Sequence, residues 1–560
     1  MSGILPLVVV PIVLPLVAAA LLVLIGDGRR RLSALVGIAT TLAGLATAVM
    51  LLCHVAAAPG FGAIGVHLTS NWAAPFGIAL VVDRLSAMML VLVGIVSLGA
   101  ALYAAAGWSR AGAHFHPLFQ ILLMGINGAF LTGDLFNLFV FFEVMLAASY
   151  GLQLHGSGWP RVRSGLHYIA VNLLASSLFL IGLAVLYGVM GTLSMADVAD
   201  KMARVPDADR GLLHAGVSIL AMAFLIKAAI WPLNAWLVPA YTATSVPVAA
   251  LFVLMTKVGL YAVLRVWTLL FPADAYGSAQ FGAPVLLAGG LATLAFGTLG
   301  VLGSIRLDRI AAFSVIVSSG TLFAAFAIGA APVSAAALFY LVGATLATSG
   351  LFLLVELVQR ASAEGQAQHP DPHDVPDEDD NLDDQQLPLV GRPFPVSVAA
   401  LALVFLTCAL LVAGLPPLSG FLAKAALMTA LVNPEATPLA NPGERVPTGT
   451  WVLLVLLLFS SLCATISLAR AGIRHFWSKG GRFAPHLHGL EAAAIMVPIS
   501  ACLLLTVFAE PVLRYASATA SYLHAPQPYI DAVLGAHPRP GPATPASPPS
   551  EASMSEASRR

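Results

Sequence analysis

Residues 84–106, RLSAMMLVLVGIVSLGAALYAAA, carry no charged side chain after Arg84. A helix crosses the roughly 30 Å hydrocarbon core of a bilayer with about 20 such residues. Thirteen more windows of this kind follow or precede it, fourteen in all, near 5–25, 33–57, 84–106, 115–132, 135–154, 164–190, 212–240, 245–270, 282–304, 310–330, 334–358, 395–430, 451–470 and 490–514. Their apolarity is continuous, whereas barrel strands alternate in segments of about ten residues. Within lipid every backbone group must be paired inside its own element, which leaves the helix. The sequence therefore predicts an all-α polytopic membrane protein with about fourteen transmembrane helices.

Composition closes off the alternatives. Hydrophobic types make up 59% of the 560 residues and charged types 10%, against about 25% charged in an ordinary globular domain. Twenty-seven basic residues balance twenty-seven acidic ones, so no net field draws nucleic acid. Cys53, Cys408, Cys463 and Cys502 sit singly in apolar runs and read as small buried hydrophobes, not as a disulfide framework or thiolate metal site. No nucleotide-binding loop or metal-ligand cluster stands out, and no cofactor is expected. His114/His116 and His486/His488 fall at span edges and read as interfacial polar residues. Leu5–Ile25 is long enough to span and lacks a basic leading region, so it reads as a retained helix and not as a cleavable signal.

With the N-terminus placed outside, the inner connections hold Arg29, Arg30, Arg31, Arg110, Arg161, Arg163, Arg306, Arg309, Arg360, Arg392, Arg470, Arg474, Lys479 and Arg482. The outer ones hold Lys201, Arg204, Arg210 and Arg445. Fourteen against four is the bias expected of cytoplasmic loops, and an even span count puts both termini outside. Residues 361–392 are rich in Pro, Asp and Gln and read as a disordered, acidic cytoplasmic loop. Its run from Asp377 to Asp384 reads as a solvated spacer more than as a cation site. Residues 524–560 form a Pro/Ala/Ser-rich tail with no chemistry apparent in its sequence.

The informative side chains are the ionisable ones left inside the spans. Of only five lysines in the chain, Lys227, Lys257 and Lys424 lie deep in apolar segments. A lysine at mid-membrane costs several kcal/mol unless it faces a cavity or partner, so its presence marks a functional site by default. Unlike arginine, lysine sheds its proton readily on burial, which suits a group that must load and release protons. One carboxylate matches them: Glu143, nine residues and about 13 Å along a helix from Asp134. Asp134 then lies near the outer interface, as a helix cap or as a relay carboxylate. The plain alternative for Glu143 and Lys227 is a fixed ion pair that holds two helices together.

Two of the lysines lie beside breaks. Pro232 follows Lys227 by five residues, and Pro416, Pro417 and Gly420 precede Lys424. Proline removes a donor and disrupts the preceding turn, and discontinuous helices beside ionisable residues point to transport sites.

Four segments, TGDLFNLFVFFEVMLAASYGL, LIKAAIWPLNAWLVPAY, TKVGLYAVLRV and AGLPPLSGFLAK, resemble the D subunit of the Mrp-type multisubunit cation/proton antiporters. That family is similar in turn to the antiporter-like membrane subunits of respiratory complex I. The resemblance runs in order over roughly residues 80–510. It implies two inverted five-helix repeats with broken helices: 1–110 would hold three leading helices, 111–270 and 271–485 the repeats, 486–520 a last helix and 521–560 a disordered tail. It further implies that Glu143 pairs with Lys227, that Lys257 relays along the central axis, and that Lys424 exchanges with the far half-channel. Other membrane subunits, protons, monovalent cations and the lipid bilayer would be the partners, in a bacterial inner membrane.

The sequence departs from those relatives at Asn234, where complex I subunits usually carry His. It departs again at Gly343, where a His is common. Without that His, water or Thr345, Thr348 and Ser349 would bridge Lys257 to Lys424. The function expected is that of a secondary antiporter subunit, not an enzyme, that lets protons in and drives Na⁺ or K⁺ out. A pumping subunit of a redox-driven complex and a non-transporting structural subunit are the alternatives.

Overall fold

The computed structural model describes residues 7–58, 64–273, 275–367, 396–433, 447–477 and 488–538. Helices α1 (Val10–Ile25) and α2 (Arg30–Ala57) lead into an antiparallel hairpin of β1 (Gly65–Leu68) and β2 (Ala79–Val82), then α3 (Arg84–Ala106). Next come α4 (Phe115–Leu131), α5 (Leu135–Gln153), α6 (Trp159–Met190), α7 (Met195–Met202), α8 (Asp207–Lys227), α9 (Leu237–Ala243) and α10 (Val246–Leu270). They are followed by α11 (Ala283–Gly303), α12 (Leu307–Ala327), α13 (Ala331–Ala367), α14 (Val396–Ala413), α15 (Ser419–Val432) and α16 (Thr448–Gly472). The described chain closes with α17 (Gly489–Val507), α18 (Ala509–Leu523) and α19 (Gln527–Leu534).

Among the described residues, twelve helices are long and apolar enough to cross a membrane, and α1, α4 and α15 are shorter apolar helices. Every window read from the sequence falls on helix, but three are divided. The seventh splits into α8 and α9, the twelfth into α14 and α15, and the fourteenth at Phe508 into α17 and α18. Beside the hairpin, single antiparallel bridges pair Leu80 with Thr132 and Asp134 with Ser194.

Burial orders the helices. α10 and α13 are enclosed almost throughout, α3 and α12 largely so, while α2, α14 and α17 keep most of their surface outward. Leu166, Leu173, Leu174, Leu180 and Ile181 of α6 are exposed. In water such a surface would drive aggregation; against acyl chains it costs nothing. Lysine on α10, the most enclosed helix, is therefore lysine at the centre of the bundle.

Two sequence expectations need correction here. The segment 361–392 does not begin as a loop, since α13 runs on to Ala367 and 361–367 are helical. Asp377–Asp384 lie outside the described residues, as do Arg392, Arg445, Lys479, Arg482 and His486. Nor is 521–538 a disordered tail: α18 continues to Leu523, and α19 buries Tyr529, Ile530 and Val533. Three apolar side chains at i, i+1 and i+4 give this short helix a face to pack, which the surrounding Pro/Ala/Ser composition masks.

Candidate proton-relay site

Each break in the bundle is stabilised by donors and acceptors from neighbouring helices. At the first, Ala229 takes a left-handed conformation (φ 57°), and Pro232 lies three residues on. Trp236 Nε1 donates to the carbonyl of Ile226 at 3.1 Å, and the Trp231 amide donates to Thr293 Oγ1 on α11 at 2.8 Å. At the second, Gly414 is left-handed (φ 74°), with Pro417 three residues on. The Ser419 amide donates to Thr506 Oγ1 at 2.9 Å. Gly420 is needed for a close approach, because a Cβ there would lie 2.0 Å from the Leu411 carbonyl oxygen. Freed backbone groups inside a membrane require such partners.

Lys227, the last residue of α8, is buried. Its Nζ reaches Ser176 Oγ of α6 at 3.5 Å and sits 5.2 Å from the centroid of the Phe142 ring. The Ser176 hydroxyl in turn donates to Glu143 Oε1 of α5. Ammonium, hydroxyl and carboxylate thus form one directed chain. Glu143 and Lys227 communicate through Ser176 in this arrangement, without a direct ion pair. A hydroxyl that accepts from one group and donates to the other can pass a proton by exchanging both bonds at once.

Lys257, midway along α10, has no exposed surface and donates to Ser318 Oγ of α12 at 2.6 Å. Lys424 on α15 donates to the Ala413 carbonyl at 2.9 Å and to Ser461 Oγ of α16 at 2.8 Å. Ala413 is the last residue of α14, so its carbonyl is one of the unpaired acceptors at a helix C-terminus. Ser318 and Lys424 line a common cavity, together with Ser314, Tyr340, Thr348 and Ser460, with about 30 Å³ open to the centres of water-sized molecules. That is room for roughly two waters.

The serines were not legible as partners beforehand. Of the three hydroxyls expected to bridge Lys257 and Lys424, Thr348 lines the cavity. Thr345 is turned to the carbonyl of Leu341, and Ser349 to that of Ala250. A Cβ on Gly343 would meet nothing within 4 Å, so the position leaves open space inside a buried helix. Asn234 is buried in the first break, and its Nδ2 has no protein partner.

Asp134 accepts from the Asn137 amide at 2.8 Å and caps α5. Two charged networks inside or at the ends of spans add to the four groups singled out from sequence. Asp83, which caps α3, pairs with Arg265 of α10 at 2.5 Å, both buried. Glu356 on α13 binds Arg360 one turn on at 3.2 Å, and Arg360 also holds Glu491 of α17 at 2.6 Å. These groups are ion-paired in networks that tie helices together, whereas the three lysines contact hydroxyls, a carbonyl and a ring. The sequence signal for the difference was present only for Glu356 and Arg360, an i,i+4 pair.

Residues 132–440, which hold both breaks and Glu143, Lys227, Lys257 and Lys424, match the family described as NADH:quinone oxidoreductase/Mrp antiporter, TM. The chain belongs to that family. It is 48% identical over 541 residues to the D subunit of a probable K(+)/H(+) antiporter of Rhizobium meliloti, covering 96% of this chain and 98% of that one. To the D subunit of the Na(+)/H(+) antiporter of Alkalihalophilus pseudofirmus it is 31% identical, over 94% of this chain and 99% of the relative. Among solved structures it resembles a chain of the Mrp complex from Dietzia sp. DQ12-45-1b (TM-score 0.79, 26% identity, 96% of this chain and 100% of that one). It shares its fold with a chain of respiratory complex I from Thermus thermophilus (TM-score 0.69, 22% identity, 94% of this chain and 100% of that one). The membership fits a multi-pass membrane protein whose work is transport, and the resemblance carried by four segments extends over nearly the whole chain.

Proposed function

We propose that this chain is the proton-carrying D subunit of a multisubunit antiporter in a bacterial cell membrane, exchanging protons for a monovalent cation together with other membrane subunits. The observations that carry the reading are the directed chain Lys227–Ser176–Glu143 beside one helix break, buried Lys257 bonded to Ser318, and the small polar cavity that Ser318 shares with Lys424 beside the other. Protons pass along Glu143, Lys227, Lys257 and Lys424, each lysine alternating between charged and neutral. Asp134 lies off this path, since its carboxylate is engaged in capping α5.

Two features support an internal repeat of α4–α10 and α11–α16. Each half contains one broken helix, with a left-handed residue three positions before a proline. Each also opens on a tightly packed helix pair, α4 with α5 and α11 with α12. The basic ends of the helices face the cytoplasm by the positive-inside rule, with both termini outside. Greater identity to the K(+)/H(+) relative makes K⁺ the first cation to test.

The reading is tested in everted membrane vesicles carrying the whole complex, with K⁺ and Na⁺ compared. Glu143→Ala and Lys227→Ala, in complexes that still assemble, abolish cation-dependent proton release. Wild-type exchange from both variants overturns the assignment.

A further inference from the structure

On the face of the bundle where α10 and α12 end and α13 begins lies a pocket with about 270 Å³ open to water-sized molecules. Ala273 at its rim is exposed, and Gln280, Phe326, Gly329 and Ala331 form part of its wall. Of the fifteen residues that line it, His524 alone is ionisable. His524 follows the last residue of α18, and its Nε2 is 3.0 Å from the hydroxyl of Ser334 in the first turn of α13. Ser334 is 1% exposed, so this hydrogen bond marks the boundary between the pocket and the interior.

Past that boundary α13 carries Ala335, Ala336 and Ala337, then buried Leu338 and Phe339, and then Tyr340. Tyr340 lies about 9 Å beyond Ser334 along the axis. It bonds to Thr321 of α12 and lines the cavity shared by Ser318 and Lys424. Ser318 holds Lys257. The polar groups from pocket to relay are therefore His524, Ser334, Tyr340 with Thr321, and Ser318, with an apolar stretch of about 9 Å between Ser334 and Tyr340.

We propose that this pocket is a water-filled mouth of the proton relay, and that His524 passes protons between it and Ser334 on the way to Lys257 and Lys424. An imidazole suits the task, because it can bind a proton on one ring nitrogen while releasing one from the other. Burial holds the His524 imidazole below its ordinary pKa, which favours the neutral ring that accepts a proton from the pocket. The inference rests on the proton-carrying reading above.

The test uses the assembled complex in vesicles, with His524→Gln, His524→Ala and, as a control, Lys227→Ala. Glutamine keeps a hydrogen bond to Ser334 but cannot titrate. Both His524 variants should lower exchange by about a hundredfold or more, the range of a lost proton-transfer group. Imidazole added on the pocket side should restore His524→Ala, while 1,2,3-triazole, a ring of the same size that is not protonated near neutral pH, should not. Wild-type exchange from His524→Gln overturns the inference, as does equal rescue by triazole or no rescue by imidazole. If His524→Ala fails to assemble, the rate of His524→Gln decides alone. A dead Lys227→Ala beside a fully active His524→Gln removes this inference only; an active Lys227→Ala removes the reading beneath it.

Discussion

The two helix breaks share a backbone and differ in how they hold charge. Both turn on a left-handed residue three positions ahead of a proline, Ala229 before Pro232 and Gly414 before Pro417. At the first break the lysine ends the leading half-helix and faces a carboxylate through Ser176. At the second the lysine belongs to the trailing half-helix and reaches back to the final carbonyl of α14. The negative end of a helix dipole, about half an elementary charge, thus replaces the carboxylate. A proton leaving Lys227 for Glu143 keeps that site neutral overall. A proton leaving Lys424 changes the net charge of its site, and the helix end remains satisfied by the neutral amine or by water. The first arrangement suits storage and internal transfer, the second suits exchange with a channel.

The sharpest break of this comparison comes from removing each lysine. Lys227→Met leaves half-buried Glu143 without its counter-charge, at a cost above that of one lost neutral hydrogen bond. Lys424→Met removes the donor from the Ala413 carbonyl and the Ser461 hydroxyl but strands no opposite charge, at about 1–3 kcal/mol. Both should abolish exchange, but thermal unfolding of the purified complex should fall further for Lys227→Met. Adding Glu143→Gln should recover most of that loss; no recovery would show that Ser176 does not couple the two groups.

The hydroxyls come next. Ser176→Ala cuts the hydroxyl link between Lys227 and Glu143 and should slow exchange roughly tenfold or more. Ser461→Ala leaves Lys424 bonded to Ala413 and should slow it severalfold at most. Equal rates from both variants would erase the distinction drawn above.

The backbone effects are smaller. Gly414→Ala places a Cβ at positive φ and 2.7 Å from the Lys424 side chain, with a conformational cost of about 1–2 kcal/mol. Ala229→Gly relieves the same conformation at the first break, offset by greater chain entropy when unfolded, and should change stability by less than about 1 kcal/mol. The smallest effect belongs to Asp134: the Ala variant loses a cap worth about 1 kcal/mol, while the Asn variant retains both cap and exchange. Loss of exchange in Asp134→Asn would return that carboxylate to the proton path.

Much of the fold could be read directly, because length and apolarity in a bilayer leave few options. The spans, the breaks at Pro232 and Pro417, and the isolation of Lys227, Lys257 and Lys424 all followed from which residues are tolerable in lipid. Depth alone does not separate one kind of buried charge from another. Arg265 and Glu356 lie within spans 245–270 and 334–358 yet differ from the lysines, because each is ion-paired, with Asp83 and with Arg360. The segment 521–538 read as a tail because its composition resembles one, although Tyr529 packs against the Arg265 guanidinium, 5.2 Å from the ring centroid.

The sequence by itself determined which residues can carry a proton and roughly how deep each lies, since charge in an apolar run is costly wherever the helix turns. Tertiary structure decided what each one touches. Ser176, Ser318, Ser461 and Thr348 come from helices far away along the chain, and His524 meets Ser334 across 190 residues. A helix that is apolar all round has no polar stripe to reveal its inward face. Its rotation is set by where small residues let neighbouring backbones approach, and that choice gave each buried lysine its hydroxyl partner on another helix.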